Sequence, residues 1–338
     1  MKATIYKGNK TFSVIDKEVA VPKEGEVRIK VAYSGVCGTD VHIYHGMMDK
    51  RVSIPETIGH EMSGTIDAIG EGVTGYELGD KIVVRPLDDR AVKPSDKGFN
   101  HICEELKFIG IDSPGSMQQF WNVPAFILHK LKEETDLKLA ALIEPLSVAV
   151  HDVRLSELQE GETAVVLGGG PIGLLVAMVA KDTGANVIIS EVNPVRIAKA
   201  KELGFDTVNP VEVDLVTYVK NNTEGRLADV VFEVAGVQPA LDVMTEVAGI
   251  RGRIVMVAIH GEPKPVNLFK FFWKELKLIG ARVYEKEDYE KAIQLITVNE
   301  LPFEELITDV QPLTKIQEVF ENIDNNPDGL KVLMDCQQ

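Results

Sequence analysis

Residues 163–173 read TAVVLGGGPIG, and this stretch decides how the second half of the chain folds. Five small or apolar residues without alternation are typical of a strand buried on both faces of a parallel sheet. Three glycines then predict a tight turn, and the proline after them suits the first position of a helix over 171–182. A strand, a glycine turn and a helix in this order predict a loop that binds the phosphates of a dinucleotide.

The residues of this loop have separate predicted roles. Gly168 allows the tight turn, Gly170 lets the backbone approach a pyrophosphate, and Gly173 lets the helix pack closely against the strand. Pro171 and Ile172 open the helix, whose free N–H groups and partial positive charge favour phosphate.

An acidic residue at the end of the next predicted strand points to the kind of dinucleotide. Glu191 is expected to accept hydrogen bonds from the adenosine ribose hydroxyls and to repel a 2′-phosphate, so the sequence favours NAD over NADP. Arg196 carries a charge that works against this preference. The alternative is a purely structural turn followed by an acid without a function.

The pattern outside this stretch predicts an α/β chain of two domains. Residues 1–147 alternate between apolar and polar side chains, as at 27–31 and 65–69, which is typical of a β-rich domain. In residues 148–285, continuous apolar strands alternate with helices, which indicates a doubly wound parallel sheet. The alternation then stops, and residues 286–338 are predicted to complete the first domain.

Composition excludes several functions. The 338 residues are 45% hydrophobic and 26% charged, as in ordinary soluble globular proteins. A net charge of −16 argues against nucleic-acid binding, and the apolar run near 174–180 is too short to span a membrane. Three widely spaced cysteines and an N-terminus without an apolar signal region favour the cytoplasm.

A second pattern, in the first domain, has the character of a metal site. Cys37, His60 and Glu61 offer a thiol, an imidazole and a carboxylate, which are ligands that a catalytic zinc takes while it keeps a position open. Glu144 stands in the apolar segment 141–146, where a carboxylate needs a positive partner or a metal. Taken singly, such residues are more often structural. A zinc that holds an alcohol and a loop that holds nicotinamide together indicate hydride transfer.

These residues resemble the zinc-containing medium-chain alcohol and polyol dehydrogenases. The similarity covers essentially the whole chain, and the matching segments are GVCGTD (35–40), GHE (59–61), GDKIVV (79–84), EPLSVAVH (144–151) and the glycine loop. Within that superfamily, the glutamate after the histidine and the Glu-Pro-Leu segment are similar to the sorbitol, polyol and threonine dehydrogenase branch. The resemblance implies a GroES-like β-rich catalytic domain and a Rossmann domain that binds NAD.

The resemblance also implies roles for individual residues. Cys37, His60 and Glu61 match the zinc ligands, and Glu144 matches a carboxylate that either binds zinc directly or holds its water.

Three further positions match residues around the substrate and cofactor. Thr39 and His42 match a hydroxyl and an imidazole that pass the alcohol proton towards solvent, and Arg282 matches a position near the nicotinamide end of the cofactor.

One departure from the family concerns a second metal. Many relatives carry four clustered cysteines for a structural zinc, whereas here residues 87–97 read LDDRAVKPSDK and Cys103 alone remains. Because a structural zinc needs four ligands, we predict one zinc per chain. The charged side chains of the segment are expected to form ion pairs instead.

The function predicted first is the oxidation of a secondary alcohol, foremost a polyol or sugar alcohol, with NAD. Threonine 3-dehydrogenase-like and butanediol dehydrogenase-like activities are the enzymatic alternatives, and a nucleotide-binding sensor is the non-enzymatic one. An amino-acid substrate such as threonine would need a cationic anchor for its carboxylate, and Arg51, Arg85, Arg90 and Arg282 are the candidates in the sequence. The apolar strand predicted at 276–280 could pair across a two-fold axis, which favours a homodimer or homotetramer.

Overall fold

The computed structural model describes residues 1–298, 300–326 and 328–338. The chain forms two compact units, one of Met1–Glu144 with Glu285–Gln338 and the other of Pro145–Tyr284. The expected domain boundaries were 147/148 and 285/286. The observed boundaries lie three residues and one residue before them, at 144/145 and 284/285.

The secondary structure of the described residues consists of short strands and helices. The strands are β1 (Lys2–Tyr6), β2 (Phe12–Asp16), β3 (Glu26–Gly35), β4 (Glu61–Ile69), β5 (Lys81–Val84), β6 (Leu87–Asp88), β7 (Lys107–Phe108), β8 (Phe120–Pro124), β9 (Leu128–Lys130), β10 (Thr163–Leu167), β11 (Asn186–Ser190), β12 (Asp206–Val208), β13 (Ala228–Glu233), β14 (Ala248–Met256), β15 (Lys277–Gly280), β16 (Ile307–Pro312) and β17 (Lys331–Asp335). The helices are α1 (Gly38–Tyr44), α2 (Leu137–Ala140), α3 (Ile143–Leu155), α4 (Pro171–Asp182), α5 (Pro194–Glu202), α6 (Leu215–Asn222), α7 (Gln238–Val247), α8 (Leu268–Lys274), α9 (Lys286–Val298) and α10 (Ile316–Asn325).

The main sheet of the first unit is built around the long strand β3. The strands run in the order β16-β17-β3-β4-β5-β9, and β8 pairs with the first half of β3. The alternation of β3 buries Val27, Ile29 and Val31 completely. Its last residue, Gly35, pairs with Glu61, the first residue of β4. This register brings the segment after β3 to the segment before β4, where the predicted metal ligands lie.

An aromatic cluster holds α1 in the first unit. The ring of Tyr44, in the last turn of α1, stacks on Phe12 at 6.0 Å and packs on Phe320 of α10 at 5.2 Å. Phe12 also contacts Phe320 at 4.7 Å. Burial of each such side chain contributes about 1.5–3 kcal/mol to the free energy of folding. The cluster therefore fixes the helix that carries Thr39 and His42.

The second unit is a single parallel sheet in the order β12-β11-β10-β13-β14-β15. Its central strand β10 is completely or almost completely buried, as its lack of alternation predicts. β10 and α4 have the predicted bounds. The strand order reverses between β10 and β13, which is where open α/β sheets bind ligands. A β-rich unit and a unit built on a parallel sheet agree with the predicted α/β class.

Among the described residues, every helix is too short or too polar to cross a membrane.

Candidate active site

The three predicted metal ligands lie together in the first unit. Cys37 precedes α1, and His60 and Glu61 stand where β4 begins. Each offers one ligand atom, and these three atoms lie within 4.8 Å of one another. His60 and Glu61 are buried, whereas Cys37 is half-buried. A buried set of sulfur, nitrogen and oxygen donors with one partly open side fits a catalytic zinc.

Asp40 lies behind His60. Its Oδ2 accepts the backbone N–H of Cys37 at 2.9 Å, and its Oδ1 lies 3.6 Å from His60 Nδ1. Neither Oδ1 nor Nδ1 has a hydrogen-bond partner among the described residues. An imidazole that binds a metal through one nitrogen usually donates its other N–H to a carboxylate, and Asp40 offers that acceptor.

The electrostatics of this pocket favour a cation. Burial by itself lowers the pKa of His60, but the negative charges of Asp40 and Cys37 raise this pKa well above its ordinary value. The same negative environment attracts a divalent metal ion. Both the donor set and the charge distribution therefore fit the metal that the sequence predicts.

Lys331 of β17 fixes the carboxylate of Glu61. Its Nζ donates to Oε1 at 2.8 Å, to Oε2 at 2.7 Å and to the carbonyl oxygen of Val36 at 3.2 Å. Burial opposes the charged ammonium, but Glu61 and Cys37 together raise the pKa of Lys331 above its ordinary value. Each carboxylate oxygen keeps a further lone pair for a metal. A side chain at Gly35 would collide with this carboxylate, which explains the glycine there.

Two of the remaining predicted catalytic residues, Glu144 and Thr39, are related to this set by charge or by a hydrogen bond. Glu144, at the start of α3, is buried, and its charge acts on both His60 and Lys331. Thr39 donates its backbone N–H to Cys37 Sγ at 3.5 Å, in the first turn of α1. His42 lies three residues further along the same face of α1, and both side chains are half-buried.

The sequence interpretation missed Asp40 and Lys331. Asp40 belongs to the motif GVCGTD that was used for its cysteine and threonine. Lys331 stands in an apolar C-terminal strand, where a buried lysine needs an acidic partner. That signal was available, but the sequence does not say which acid is the partner.

The segment that lacks the four cysteines is held by charged side chains. Asp96 accepts the backbone N–H groups of Lys93 and Glu104, at 2.6 and 2.9 Å. The ammonium of Lys93 lies 3.1 Å from Glu104 and 2.8 Å from Glu105. Cys103 is buried, and the groups of side chains that could hold a metal ion, among the described residues, include none from this segment.

The glycine loop of the second unit has the geometry that its sequence predicts. Gly168 has a φ of 111°, a conformation that favours glycine. A side chain at Gly173 would collide with the carbonyl oxygen of Gly168. Pro171 and Ile172 form the first turn of α4, with Gly170 as its N-cap. Arg196 of α5 approaches this end, since a Cβ on Gly170 would lie 3.5 Å from its Nη1.

Glu191 is bonded to the glycine loop. Its Oε2 accepts the N–H of Gly169 at 2.7 Å, and its Oε1 accepts the N–H groups of Val192 and Asn193 at 2.6 and 2.9 Å. The structure thus places Glu191, Arg196 and the loop together. Arg282 lies after β15 in the same unit, with an exposed side chain.

A GroES-like unit with a Cys-His-Glu metal pocket and a Rossmann unit with a glycine loop define a zinc-dependent alcohol dehydrogenase. Two family models agree with this class. The alcohol dehydrogenase GroES-like domain matches residues 23–133, and the zinc-binding dehydrogenase domain matches residues 171–298. The chain belongs to the zinc-containing alcohol dehydrogenase family.

Individual relatives support the same reaction. The chain is 56% identical to 2-dehydro-3-deoxy-L-galactonate 5-dehydrogenase of Pseudoalteromonas atlantica, over 99% of both chains. It is 34% identical to a sorbitol dehydrogenase of Halalkalibacterium halodurans, also over 99% of both chains. The crystal structure of 2R,3R-butanediol dehydrogenase from Bacillus subtilis has a TM-score of 0.90 at 30% identity and covers 99% of each chain. The predicted reaction, oxidation of an alcohol or polyol with zinc and a nicotinamide dinucleotide, is confirmed.

Proposed function

We propose that the protein oxidises a secondary hydroxyl of a sugar acid, using NAD and one zinc ion per chain. The observation that carries this proposal is the 56% identity, over 99% of both chains, to an enzyme named for the 5-dehydrogenation of a 2-keto-3-deoxy sugar acid. The sorbitol and butanediol dehydrogenases, which are named for neutral substrates, are only 34% and 30% identical. The proposed substrate is therefore a sugar acid, in place of the neutral polyol that the sequence alone favours.

In this proposal, the residues of the first unit bind the substrate and move one proton. Cys37, His60 and Glu61 would hold the zinc, with Glu144 as a fourth ligand or as the acceptor for its water. Bound zinc supplies Lewis acidity, which lowers the pKa of the substrate hydroxyl. The Thr39 hydroxyl would accept the substrate's hydroxyl proton while it gives up its own, and His42 would take that proton and pass it to solvent.

The second unit holds the hydride acceptor. The helix N-terminus after Gly170 binds the pyrophosphate through its N–H groups. NAD supplies a nicotinamide ring that accepts the hydride, so the alcohol carbon loses a hydride, the oxygen loses a proton, and a ketone forms. Arg282 is assigned to the nicotinamide end on the family pattern.

A substrate panel tests this proposal. Formation of NADH would be followed with 2-dehydro-3-deoxy-L-galactonate, other 2-keto-3-deoxy sugar acids, sorbitol, xylitol, butanediol and threonine. We expect the highest kcat/KM with a sugar acid, loss of activity with a chelator, and recovery with zinc. A higher kcat/KM with sorbitol or butanediol would contradict the proposed substrate but not the reaction class. Metal analysis is expected to give about one zinc per chain, because the segment around Asp96 offers a single cysteine and is held by hydrogen bonds and ion pairs.

Glu191 is the basis for proposing NAD rather than NADP. Three backbone N–H groups occupy three of the roughly four acceptor sites of its carboxylate, which leaves one for a ribose hydroxyl. Its negative charge would lie close to a 2′-phosphate.

The variant Glu191→Gln keeps the shape of the side chain and removes this charge. We expect the ratio of kcat/KM for NAD to kcat/KM for NADP to fall by roughly tenfold or more, which corresponds to about 1.4 kcal/mol. Steady-state kinetics with both cofactors measure the ratio. The variant Glu202→Gln, on the same unit, serves as a control with the same change of charge. An unchanged ratio in Glu191→Gln would remove this residue from cofactor selection.

We also propose that two copies associate through the last strand of the Rossmann sheet. β15 is the edge strand, so one side of its backbone is open to pairing. Leu278 of this strand is 51% exposed, and Phe272 and Trp273 of the preceding helix are 78% and 68% exposed. Exposed aromatic side chains in the helix that leads into an open edge strand are typical of a subunit contact.

Light scattering during size exclusion tests this association. The protein should have at least twice the chain mass of 37.2 kDa, and Leu278→Lys should weaken the association by roughly 100-fold. Val211→Lys, at an 81% exposed position of the same unit, is the matched control. A monomer at all concentrations would show that this face has another role.

The free thiols of all three cysteines fit the proposed location in the cytoplasm.

A further inference from the structure

A sugar acid carries a carboxylate, and the structure distinguishes among the four arginines that the sequence offers as its anchor. Arg85 is buried, with both of its Nη atoms bonded to Asp89. Arg90 is bonded to Asp88 and lies 3.9 Å over the ring of Phe126. Arg282 belongs to the second unit and is assigned to the nicotinamide end of the cofactor on the family pattern.

Arg51 is connected to the candidate metal site by two routes. Along the chain, Arg51 follows α1, the helix that begins directly after Cys37. Its backbone N–H donates to the backbone carbonyl oxygen of Met48 at 2.8 Å, in the segment that follows this helix. Through space, the ring of Phe108 meets that of His60 edge-on at 5.1 Å.

The link from Phe108 to Arg51 is a carboxylate. The backbone N–H of Phe108 donates to Asp112 Oδ2 at 2.8 Å. Arg51 donates to the two oxygens of Asp112 through Nε and Nη2, each at 2.7 Å. Arg51 is therefore held in one orientation by Asp112, which is bonded to the backbone of Phe108, the residue whose ring packs on His60.

The guanidinium of Arg51 has hydrogen-bonding capacity beyond this contact. A guanidinium has five N–H donors in a fixed plane, and Asp112 takes one from Nε and one from Nη2. The side chain is 40% exposed. An arginine that is bonded to an aspartate along one edge is preorganised to bind a second carboxylate along the other, because its rotamer is already fixed.

We propose that Arg51 binds the carboxylate of the substrate and so selects sugar acids over neutral polyols. This inference rests on the proposed function. Asp112 acts as a positioning residue, which holds the guanidinium through its Nε edge and leaves the Nη1 edge for the substrate. Phe108, whose ring packs on His60 and whose backbone is bonded to Asp112, connects the candidate metal site to this cation.

The test compares a sugar acid with its uncharged methyl ester. Arg51→Gln and the control Arg90→Gln would be assayed with 2-dehydro-3-deoxy-L-galactonate and with the ester, alongside the unaltered enzyme. We expect Arg51→Gln to raise KM for the acid by roughly 10- to 100-fold, while kcat stays within about a factor of three of the unaltered enzyme. The KM for the ester should not change. Arg51→Lys should give an intermediate KM, because it keeps the charge but loses the planar fork. Arg90→Gln should leave KM unchanged for both the acid and the ester.

The outcomes separate the two proposals. If the unaltered enzyme oxidises the acid and Arg51→Gln leaves KM for the acid unchanged, Arg51 is not the carboxylate anchor, and the proposed substrate stands. An equal loss with acid and ester would also overturn the anchor, because it would show a structural role. If the unaltered enzyme does not oxidise any sugar acid, the proposed substrate and the anchor both fail.

Discussion

Replacing Thr39 by valine is expected to lower kcat by roughly 10²–10⁴, the usual contribution of a positioned proton acceptor. Valine has the shape of threonine without its hydroxyl. The contact of residue 39 with Cys37 Sγ is made by its backbone N–H, so it survives the substitution. The zinc content and the Kd for NAD should therefore stay the same while turnover falls. Steady-state kinetics, metal analysis and cofactor titration measure the three quantities.

The control for this prediction is Thr39→Ser. Serine restores the hydroxyl and should recover most of the turnover. Near-normal kcat in Thr39→Val would remove the residue from the proton path. A parallel loss of zinc would show that the residue supports the metal site instead.

Replacing Lys331 by methionine is expected to destabilise the first unit by about 3–5 kcal/mol, because it leaves the buried carboxylate of Glu61 without a cation. In the structure, both oxygens of Glu61 accept from the Lys331 ammonium, and neither side chain is more than slightly exposed. Zinc affinity should also fall by roughly 10- to 100-fold, as it does when a residue that orients a ligand is lost. Urea unfolding of the zinc-free protein and competition with a chelator measure the two effects.

Two further variants make this result interpretable. Lys315→Met removes a surface lysine that lies 4.0 Å from Glu318 and should cost less than about 1 kcal/mol. The double variant Lys331→Met, Glu61→Gln removes both charges and should recover much of the lost stability, but not the zinc affinity. Equal unfolding midpoints for Lys331→Met and Lys315→Met would contradict the role given to the buried pair.

The fold was predictable because its strongest patterns are local. The strand Thr163–Leu167 and the helix Pro171–Asp182 are each determined by neighbouring residues, and the structure has the same bounds. Strand order is not local. The return of β17 to pair with β3 depends on residues that are far apart in the sequence, and the sequence supplied only the general expectation that the chain returns to the first domain.

The candidate site was predictable in its donors but not in their supports. Cys37, His60 and Glu61 stand in short motifs with a recognisable chemistry. The partners Asp40 and Lys331 are ordinary charged residues whose roles depend on which side chain they face. The same holds for Arg51, whose contact with Asp112 joins residues 61 positions apart. Such pairings depend on the tertiary structure, which composition and spacing do not contain.

The Glu61–Lys331 pair has a consequence for biosynthesis. The two residues are 270 positions apart, and the entire second unit is encoded between them. A nascent chain that has completed Cys37, His60 and Glu61 still lacks the ammonium that orients the carboxylate. Ribosomes add about 5–20 residues per second, so this delay lasts on the order of tens of seconds. The pocket therefore reaches its final affinity for the metal only after the Rossmann unit has emerged, which links metal loading to the completion of the polypeptide.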